Sequence, residues 1–347
     1  MRNIFPLLSG NKKLKALLGA HIAEGKLSHA YIFEGDDGSG KMTCALSAAA
    51  SLACEKRNDA LSPLPCGKCA SCRKIFGLFS PDVHIVSPKE KKSIGVDAIR
   101  DITSSLYISP NENDYCVYII DDAHLMTAQA QNALLKTLEE PPEYAVIILL
   151  ATNADILLDT IRSRCVVIDM EDVPGKLMKT YLQEHFPDKS ESEIEFAVIF
   201  ADGKLGRATD YLSNADMEEL KDSVIRFVKK VPDMALYETM TQLRELDSYK
   251  INRLEDYLDI LQLWYRDVLM FKSTRDMNSL VFKSEITDIS RQAQNASYEG
   301  LNKIIEGVEV IKLRLAANVN FDIAAELFLI TIHEGMVNCL SEAHERD

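Results

Sequence analysis

Residues 35–43 read GDDGSGKMT, a stretch whose residue types and spacing could hold a phosphate group. A phosphate-binding loop has the pattern G-x-x-x-x-G-K followed by Ser or Thr. Its glycines let backbone N–H groups approach phosphate oxygens, its Lys reaches the terminal phosphates, and its hydroxyl ligates Mg²⁺. The stretch follows a strand-like run and opens a helical one, which is the context that the motif requires. The residues expected to line a phosphate are Gly35, Gly38, Ser39, Gly40 and Lys41.

The metal-binding half of this loop departs from the pattern. Met42 occupies the hydroxyl position, and a thioether cannot ligate a hard cation that prefers oxygen. Thr43 comes one residue late, about 100° further round the predicted helix, so its hydroxyl should point elsewhere. Asp36 and Asp37 add negative charge where anionic phosphates would lie. Two interpretations therefore stay open: a site that binds ATP with Mg²⁺, and a loop kept for its shape.

Two later strand-like runs supply further candidates for the same site. The run VYIIDDAHLM at 117–126 ends in carboxylates, and Asp121 is expected to hold the metal. The next position should carry a Glu that orients the attacking water. Asp122 is one methylene shorter, which displaces its carboxylate by more than about 1 Å and should damage in-line attack severely. ATN at 151–153 would place Asn153 beside the terminal phosphate. The alternative for the carboxylates is a turn at the strand end with solvated side chains.

Two arginines stand just before the last strand-like run. They are Arg162 and Arg164 in IRSRC at 161–165. Either they are ordinary surface residues, or they reach a phosphate bound to a neighbouring subunit.

Four cysteines have the spacing of a metal site. The pattern C-x11-C-x2-C-x2-C suits four thiolates around a tetrahedral zinc ion in a reducing compartment. No open coordination position is indicated, so the zinc would be structural. An iron–sulfur cluster is the rival, although the Cys-Pro that follows in ferredoxins is missing here. The expected ligands are Cys54, Cys66, Cys69 and Cys72.

Composition narrows the class of protein. The chain has 347 residues, of which 47% are hydrophobic and 27% charged, as in ordinary soluble globular proteins. Neither a membrane-spanning run nor a signal peptide is indicated, which predicts a cytoplasmic protein with reduced thiols. The net charge of −14 argues against DNA binding by bulk electrostatics. Work near DNA would then depend on partner proteins.

The pattern of apolar residues predicts the fold class. Continuous apolar strands separated by helices indicate a parallel sheet covered on both faces. Beyond Val173, strand signals largely vanish and helical periodicity runs nearly to the end. We expect an α/β domain at 1–170, a small helical unit at 171–214 and an all-helical domain at 215–347. The five predicted strands lie at 29–35, 82–88, 115–121, 144–153 and 165–170.

The order of these motifs resembles the clamp-loader branch of the AAA+ superfamily, and within it the delta-prime type of bacterial DNA polymerase III subunit. The resemblance is specific over residues 28–168 and weaker beyond 215. Its motifs are SHAYIFEG before the Gly-rich loop, the insertion ending CGKCASC, IIDDAHLM, QNALLKTLEEPP, IRSRC and, later, GKLGRATDYL. The resemblance implies an α/β AAA+ module with a five-stranded parallel sheet, a small helical lid, and a helical collar that oligomerises.

The resemblance also implies a function. Clamp loaders use ATP to open a ring-shaped sliding clamp and place it on primer–template DNA, and delta-prime subunits are the rigid members that need no ATPase activity. Such a chain offers the arginine of its SRC motif, here Arg164, to ATP on an adjacent gamma/tau-type motor subunit, with a delta-type subunit as a further partner. The second-domain arginine that senses phosphate in motor subunits falls near Arg207. The zinc module of the family falls on the four cysteines named above.

Two other functions remain as alternatives. One is an active ATPase, either a gamma/tau-like motor subunit or another AAA+ enzyme, which Met42 and Asp122 argue against. The other is a zinc-dependent nucleic-acid-binding protein, which fits the cysteines but not the net charge.

Overall fold

The computed structural model describes residues 5, 8–24, 27–59, 61–88, 93–234, 253–317 and 319–344. Contacts divide the chain into two units, 1–209 and 210–347, and each is described by itself. The finer division into three domains, with boundaries at 170 and 214, stays a prediction. Within the described residues, no helix is long and apolar enough to cross a membrane.

Five parallel strands form the centre of the first unit, in the order β2-β3-β4-β1-β5. All five strands predicted from the sequence are present, and the predicted α/β fold class is confirmed. The strands are β1 (Ala30–Glu34), β2 (Val83–Val86), β3 (Cys116–Ile120), β4 (Ala145–Ala151) and β5 (Val166–Asp169).

Both faces of this sheet are buried, which explains why its central strands are apolar without alternation. In β1, Tyr31 and Phe33 pack into one core cluster, while Ala30 and Ile32 pack into the other. Helices cover both clusters. They are α1 (Lys12–Glu24), α2 (Lys41–Leu52), α3 (Ala70–Phe76), α4 (Val96–Ser105), α5 (Ala128–Glu139) and α6 (Asp159–Arg162).

Helix α2 is shorter than its sequence pattern predicts. The pattern runs over 42–56, but the helix ends at Leu52. Beyond it, the amide of Arg57 donates to the carbonyl of Cys54 at 2.8 Å, which closes a turn. This turn directs the buried Cys54 thiol toward the later cysteines. A tertiary cluster therefore overrides local helical propensity at this point.

Three helices follow the sheet. They are α7 (Gly175–His185), α8 (Glu191–Ala201) and α9 (Leu205–Ser213). Helix α8 begins with a capping box, in which Ser190 accepts from the amide of Glu193 and Glu193 accepts from the amide of Ser190. Such reciprocal bonds satisfy two amides that a helix start leaves unpaired.

The second unit is helical throughout its described part, as predicted. Its helices are α10 (Ala215–Lys230), α11 (Leu254–Thr274), α12 (Ile286–Asn295), α13 (Tyr298–Ala316) and α14 (Phe321–His344). Helical periodicity in the sequence predicts a helix from 249; in the described part this helix begins at Leu254, and 249–252 lie outside the described residues. Trp264, which the sequence places on an apolar helical face, is fully buried and donates its indole N–H to the side-chain oxygen of Gln292 at 2.9 Å, so it is a core residue.

Candidate functional site

One edge of the sheet gathers most of the predicted site. The Gly-rich loop follows β1, the paired carboxylates follow β3, and Asn153 follows β4. Since β4 pairs with both β1 and β3 in parallel, the three carboxyl ends meet at the same edge. Ligands of open α/β sheets bind at this edge.

The loop has the backbone of a phosphate-binding loop. Gly38 and Gly40 have φ angles of 77° and 95°, a region that side chains rarely adopt. Helix α2 begins directly after Gly40, at Lys41, so its free amides lie at the loop. This geometry is suited to an anion.

The side chain of Lys41 is turned back onto the loop itself. Lys41 is 7% exposed, and its ammonium donates to the carbonyl oxygens of Gly35 and, at 2.9 Å, Asp36. A carboxylate oxygen of Asp37 lies 3.5 Å from the same ammonium. An ammonium group has three N–H donors. The three oxygens near the Lys41 ammonium all belong to its own loop.

The position directly after Lys41 offers no side-chain oxygen to a metal ion. Met42 is half-buried and packs against the hydrophobic core, while Thr43 is exposed. Ser39 is 8% exposed, and its hydroxyl has no hydrogen-bond partner within the described part of the chain.

The two carboxylates after β3 differ in environment. Asp121 accepts from the amide of Asp122 at 3.1 Å and from the Ser87 hydroxyl at 3.4 Å. Asp122 has a φ of 47°, in the left-handed region that Asp and Asn tolerate best. Burial, followed by the charges of Asp121 and Asp37, raises the pKa of Asp122. A crowded carboxylate in a strained turn is a poor substitute for the missing Glu.

Asn153 lies at the predicted edge, but its side chain is engaged locally. Its side-chain oxygen accepts from the amide of Asp155 at 2.7 Å and caps the turn Ala154–Ile156. Contact of Asn153 with a phosphate stays a prediction.

The start of α9 lies directly on the loop, a contact that sequence reasoning missed. The amide of Gly206 donates to the carbonyl of Gly38 at 2.8 Å, and Lys204 pairs with Asp36 at 3.0 Å. The guanidinium of Arg207 stacks on the Phe200 ring at 4.5 Å. The segment GKLGRATDYL carried the signal for this region, but not its partners.

Arg164 lies away from this site, near the opposite edge of the sheet. It stands two residues before β5, whose first residue Val166 pairs with Tyr31 and whose last residue Asp169 pairs with Glu34. The strand separates Arg164 from the loop after Glu34 by about 10 Å or more. The structure therefore does not bring Arg164 together with the other predicted residues.

Both arginines of IRSRC have acidic partners. Arg162 pairs with Asp155 at 2.9 Å and Asp159 at 3.2 Å. Arg164 pairs with Glu139 at 2.7 Å, an ion pair that the sequence did not indicate.

The four predicted cysteine ligands form one cluster. Their sulfur atoms all lie within 4.8 Å of one another, and those of Cys66 and Cys72 are 3.9 Å apart. A tetrahedral ion with metal–sulfur distances of about 2.3 Å places sulfurs roughly 3.8 Å apart. The amides of Cys69 and Cys72 donate to the sulfurs of Cys66 and Cys69, both at 3.4 Å. The donor set fits a metal ion.

The thiol of Cys66 is set up to ionise. Burial by itself would raise its pKa, but hydrogen bonds from the amides of Lys68 and Cys69, and from the thiols of Cys54 and Cys69, bring the pKa to about 6. Thiolate is the form that binds metal.

Comparison with known families identifies the chain. The family described as "DNA polymerase III, delta subunit" matches residues 10–174, and "DNA polymerase III, delta subunit, C terminal" matches residues 236–334. The chain belongs to the clamp-loader family of DNA polymerase III subunits.

Two relatives from Bacillus subtilis (strain 168) show how this clamp-loader chain relates to named subunits. It is 29% identical to DNA polymerase III subunit delta′, over 93% of this chain and 96% of that one. It is 28% identical to subunit tau, over 94% of this chain but only 61% of the tau length. A crystal structure of a gamma subunit-related protein from Thermotoga maritima shares the fold, with a TM-score of 0.50 and 22% identity over 94% of this chain and all of that one.

Proposed function

We propose that this chain is a delta-prime-type clamp-loader subunit, which takes part in ATP-dependent loading of the sliding clamp on primer–template DNA. It does not hydrolyse ATP itself. It supplies Arg164 in trans to ATP on a neighbouring subunit of the gamma/tau type, and a delta-type subunit completes its set of partners.

The position of Arg164 carries this proposal. Arg164 precedes β5, whereas the loop of its own chain follows β1 at the opposite edge. A phosphate within reach of Arg164 therefore belongs to another molecule. An arginine that reaches into a neighbour's site neutralises charge in the transition state of phosphoryl transfer.

The state of the loop supports the absence of hydrolysis. Lys41 is held by oxygens of its own loop, Met42 packs into the core, and the amide of Gly206 is bonded to Gly38. Magnesium requires oxygen ligands, and in-line attack requires a positioned carboxylate. Met42 and the strained Asp122 provide neither.

The second unit has surface suited to assembly with other subunits. Val310 and Leu313 on α13 are 43% and 70% exposed, and Ile323 and Leu327 on α14 are 55% and 46% exposed. Spacings of three and four residues place each pair on one face of its helix. Exposed apolar faces of this kind favour protein contacts, which fits a collar that oligomerises. The sequence match to the delta′ relative spans 96% of that protein, which agrees with a subunit of the delta-prime type.

We assign zinc to the four-cysteine cluster, with a structural role. The cysteines connect the end of α2 to α3, and Cys54 and Cys72 are buried. Four sulfur ligands close the coordination shell, so the ion would stabilise this segment and leave no position for chemistry.

Steady-state ATP turnover and calorimetric Mg-ATP titration of the purified chain test the proposal. We expect no turnover above background. Turnover that disappears in Lys41→Ala would identify the chain as an active motor-type ATPase instead. Binding without turnover, lost in the same variant, would mean that the loop holds a silent nucleotide and would leave the trans role standing.

A further inference from the structure

The ion pair between Glu139 and Arg164 joins two sequence motifs, LEEPP and SRC. The atoms Glu139 Oε1 and Arg164 Nη2 are 2.7 Å apart, although the residues are 25 positions apart in the chain. We propose that Glu139 is a positioning residue, which orients the guanidinium of Arg164 for contact with the phosphate of a neighbouring subunit. This inference rests on the proposed trans role of Arg164.

A second nitrogen of the Arg164 guanidinium also makes hydrogen bonds within the chain. The Nη1 atom donates to the carbonyl of Thr160 at 2.9 Å and to the Ser163 hydroxyl at 3.3 Å. Bonds to Nη1 and Nη2 together fix both the position and the plane of the group. An arginine side chain loses rotamer entropy when it is ordered, and this loss costs free energy. Ordering it before the phosphate arrives removes part of that cost from the catalytic step.

Glu139 is well placed to serve as a fixed reference point. It is the last residue of α5, whose start is capped by the hydroxyl of Thr127. Near that start, Gln131 donates to the carbonyl of Met126 at 3.2 Å and accepts from the amide of Leu158 at 2.9 Å. Helix α5 is thus tied to the segment that leads into α6. A carboxylate on such a helix positions its partner better than one on a loop.

The exposure of the pair favours positioning over a role in folding. The side chains of Arg164 and Glu139 are 34% and 52% exposed. Ion pairs with this much solvent contribute little to stability. An incoming phosphate can therefore join the guanidinium without unfolding its surroundings.

The test uses the complete clamp-loader complex, reconstituted with cognate partner subunits and stimulated by primed DNA. Glu139→Ala should lower kcat for ATP by roughly tenfold and leave the KM for ATP unchanged, because orientation is lost while ATP binds elsewhere. Glu139→Asp, which keeps the carboxylate, should recover part of the loss. Glu140→Ala removes the adjacent exposed carboxylate and should match the wild type. Mass photometry of each complex checks assembly.

Arg164→Ala provides the reference that separates the two proposals. If it lowers kcat and Glu139→Ala does so too, the double variant should be no slower than Arg164→Ala alone. If Arg164→Ala lowers kcat while Glu139→Ala matches or exceeds the wild type, the positioning role is wrong and the trans role stands. If Arg164→Ala itself has no effect, the proposed function fails and this inference fails with it.

Discussion

The amide of Gly206 donates a hydrogen bond to the carbonyl of Gly38 at 2.8 Å, which places the start of α9 directly on the phosphate-type loop. The nearby ion pair between Lys204 and Asp36 adds a second link between the same two segments. Together with the inward-turned Lys41, these contacts pair several polar groups of the loop with groups of the same chain. A loop held by its own chain in this way suits the proposed role, in which the subunit presents a fixed surface.

Gly206→Ala tests how closely the two segments must approach. A Cβ atom at position 206 would lie 2.7 Å from the Gly38 carbonyl oxygen, so backbone must shift. We expect a loss of about 1–3 kcal/mol in the free energy of unfolding, typical of overpacking. Chemical denaturation measures this.

Gly175→Ala is the matched control, because it also lies at a helix start and its added Cβ would be 3.4 Å from Val198. It should be neutral or slightly stabilising. Equal stability of the two variants would mean that the contact between Gly206 and Gly38 is not close in solution.

Asp122→Asn should stabilise the chain at neutral pH. Burial and the neighbouring charges of Asp121 and Asp37 raise the pKa of Asp122 above 3.8, so the folded state binds the proton more tightly than the unfolded state. Stability from this group is present below pH 3.8 and is lost as the pH rises through the folded pKa. Asn removes the charge and tolerates the positive φ.

The gain from Asp122→Asn, measured as a rise in Tm, should therefore be larger at pH 7 than at pH 4. Asp122→Ala removes the same charge but should be less stable than Asp122→Asn by roughly 1 kcal/mol, because Ala disfavours the left-handed region. A gain that does not change with pH would contradict the electrostatic cause.

Cys72→Ser should abolish stoichiometric zinc binding. Cys72 is fully buried in the cluster, and its loss would leave three thiolates around the ion. Metal analysis of the wild type should give one zinc per chain. Cys165→Ala, outside the cluster, should keep that zinc. Full zinc content in Cys72→Ser would show that the ligand assignment is wrong, and a brown, iron-containing wild type would favour an iron–sulfur cluster.

The sequence was most informative where local pattern and long-range structure agree. The five strands could be predicted because residues such as Ile32 and Ile148 are buried and form continuous apolar runs. The cysteine cluster followed from spacing, since three of its ligands lie within seven residues. The loop backbone followed from Gly40, because few other residues adopt its φ of 95°.

The features that sequence reasoning missed depend on tertiary partners. Nothing near Arg164 in the sequence indicates Glu139, and nothing near Asp36 indicates Lys204. The positive φ of Asp122 is likewise set by the turn after β3 rather than by residue type alone. A charged side chain could pair with any of many opposite charges in the sequence. Only the folded structure determines which of them lies close enough.

The most direct test of the trans role is the DNA-stimulated ATP turnover of the reconstituted complex with Arg164→Ala. We predict that the complex assembles normally and that kcat at the neighbouring site falls by roughly tenfold or more, since an arginine finger acts in the transition state. Arg162→Ala is the control for loss of a nearby arginine: the proposal gives the trans role to Arg164 alone, so this variant, which loses only the ion pairs to Asp155 and Asp159, should leave turnover unchanged. Unchanged turnover in an intact Arg164→Ala complex would contradict the proposed function.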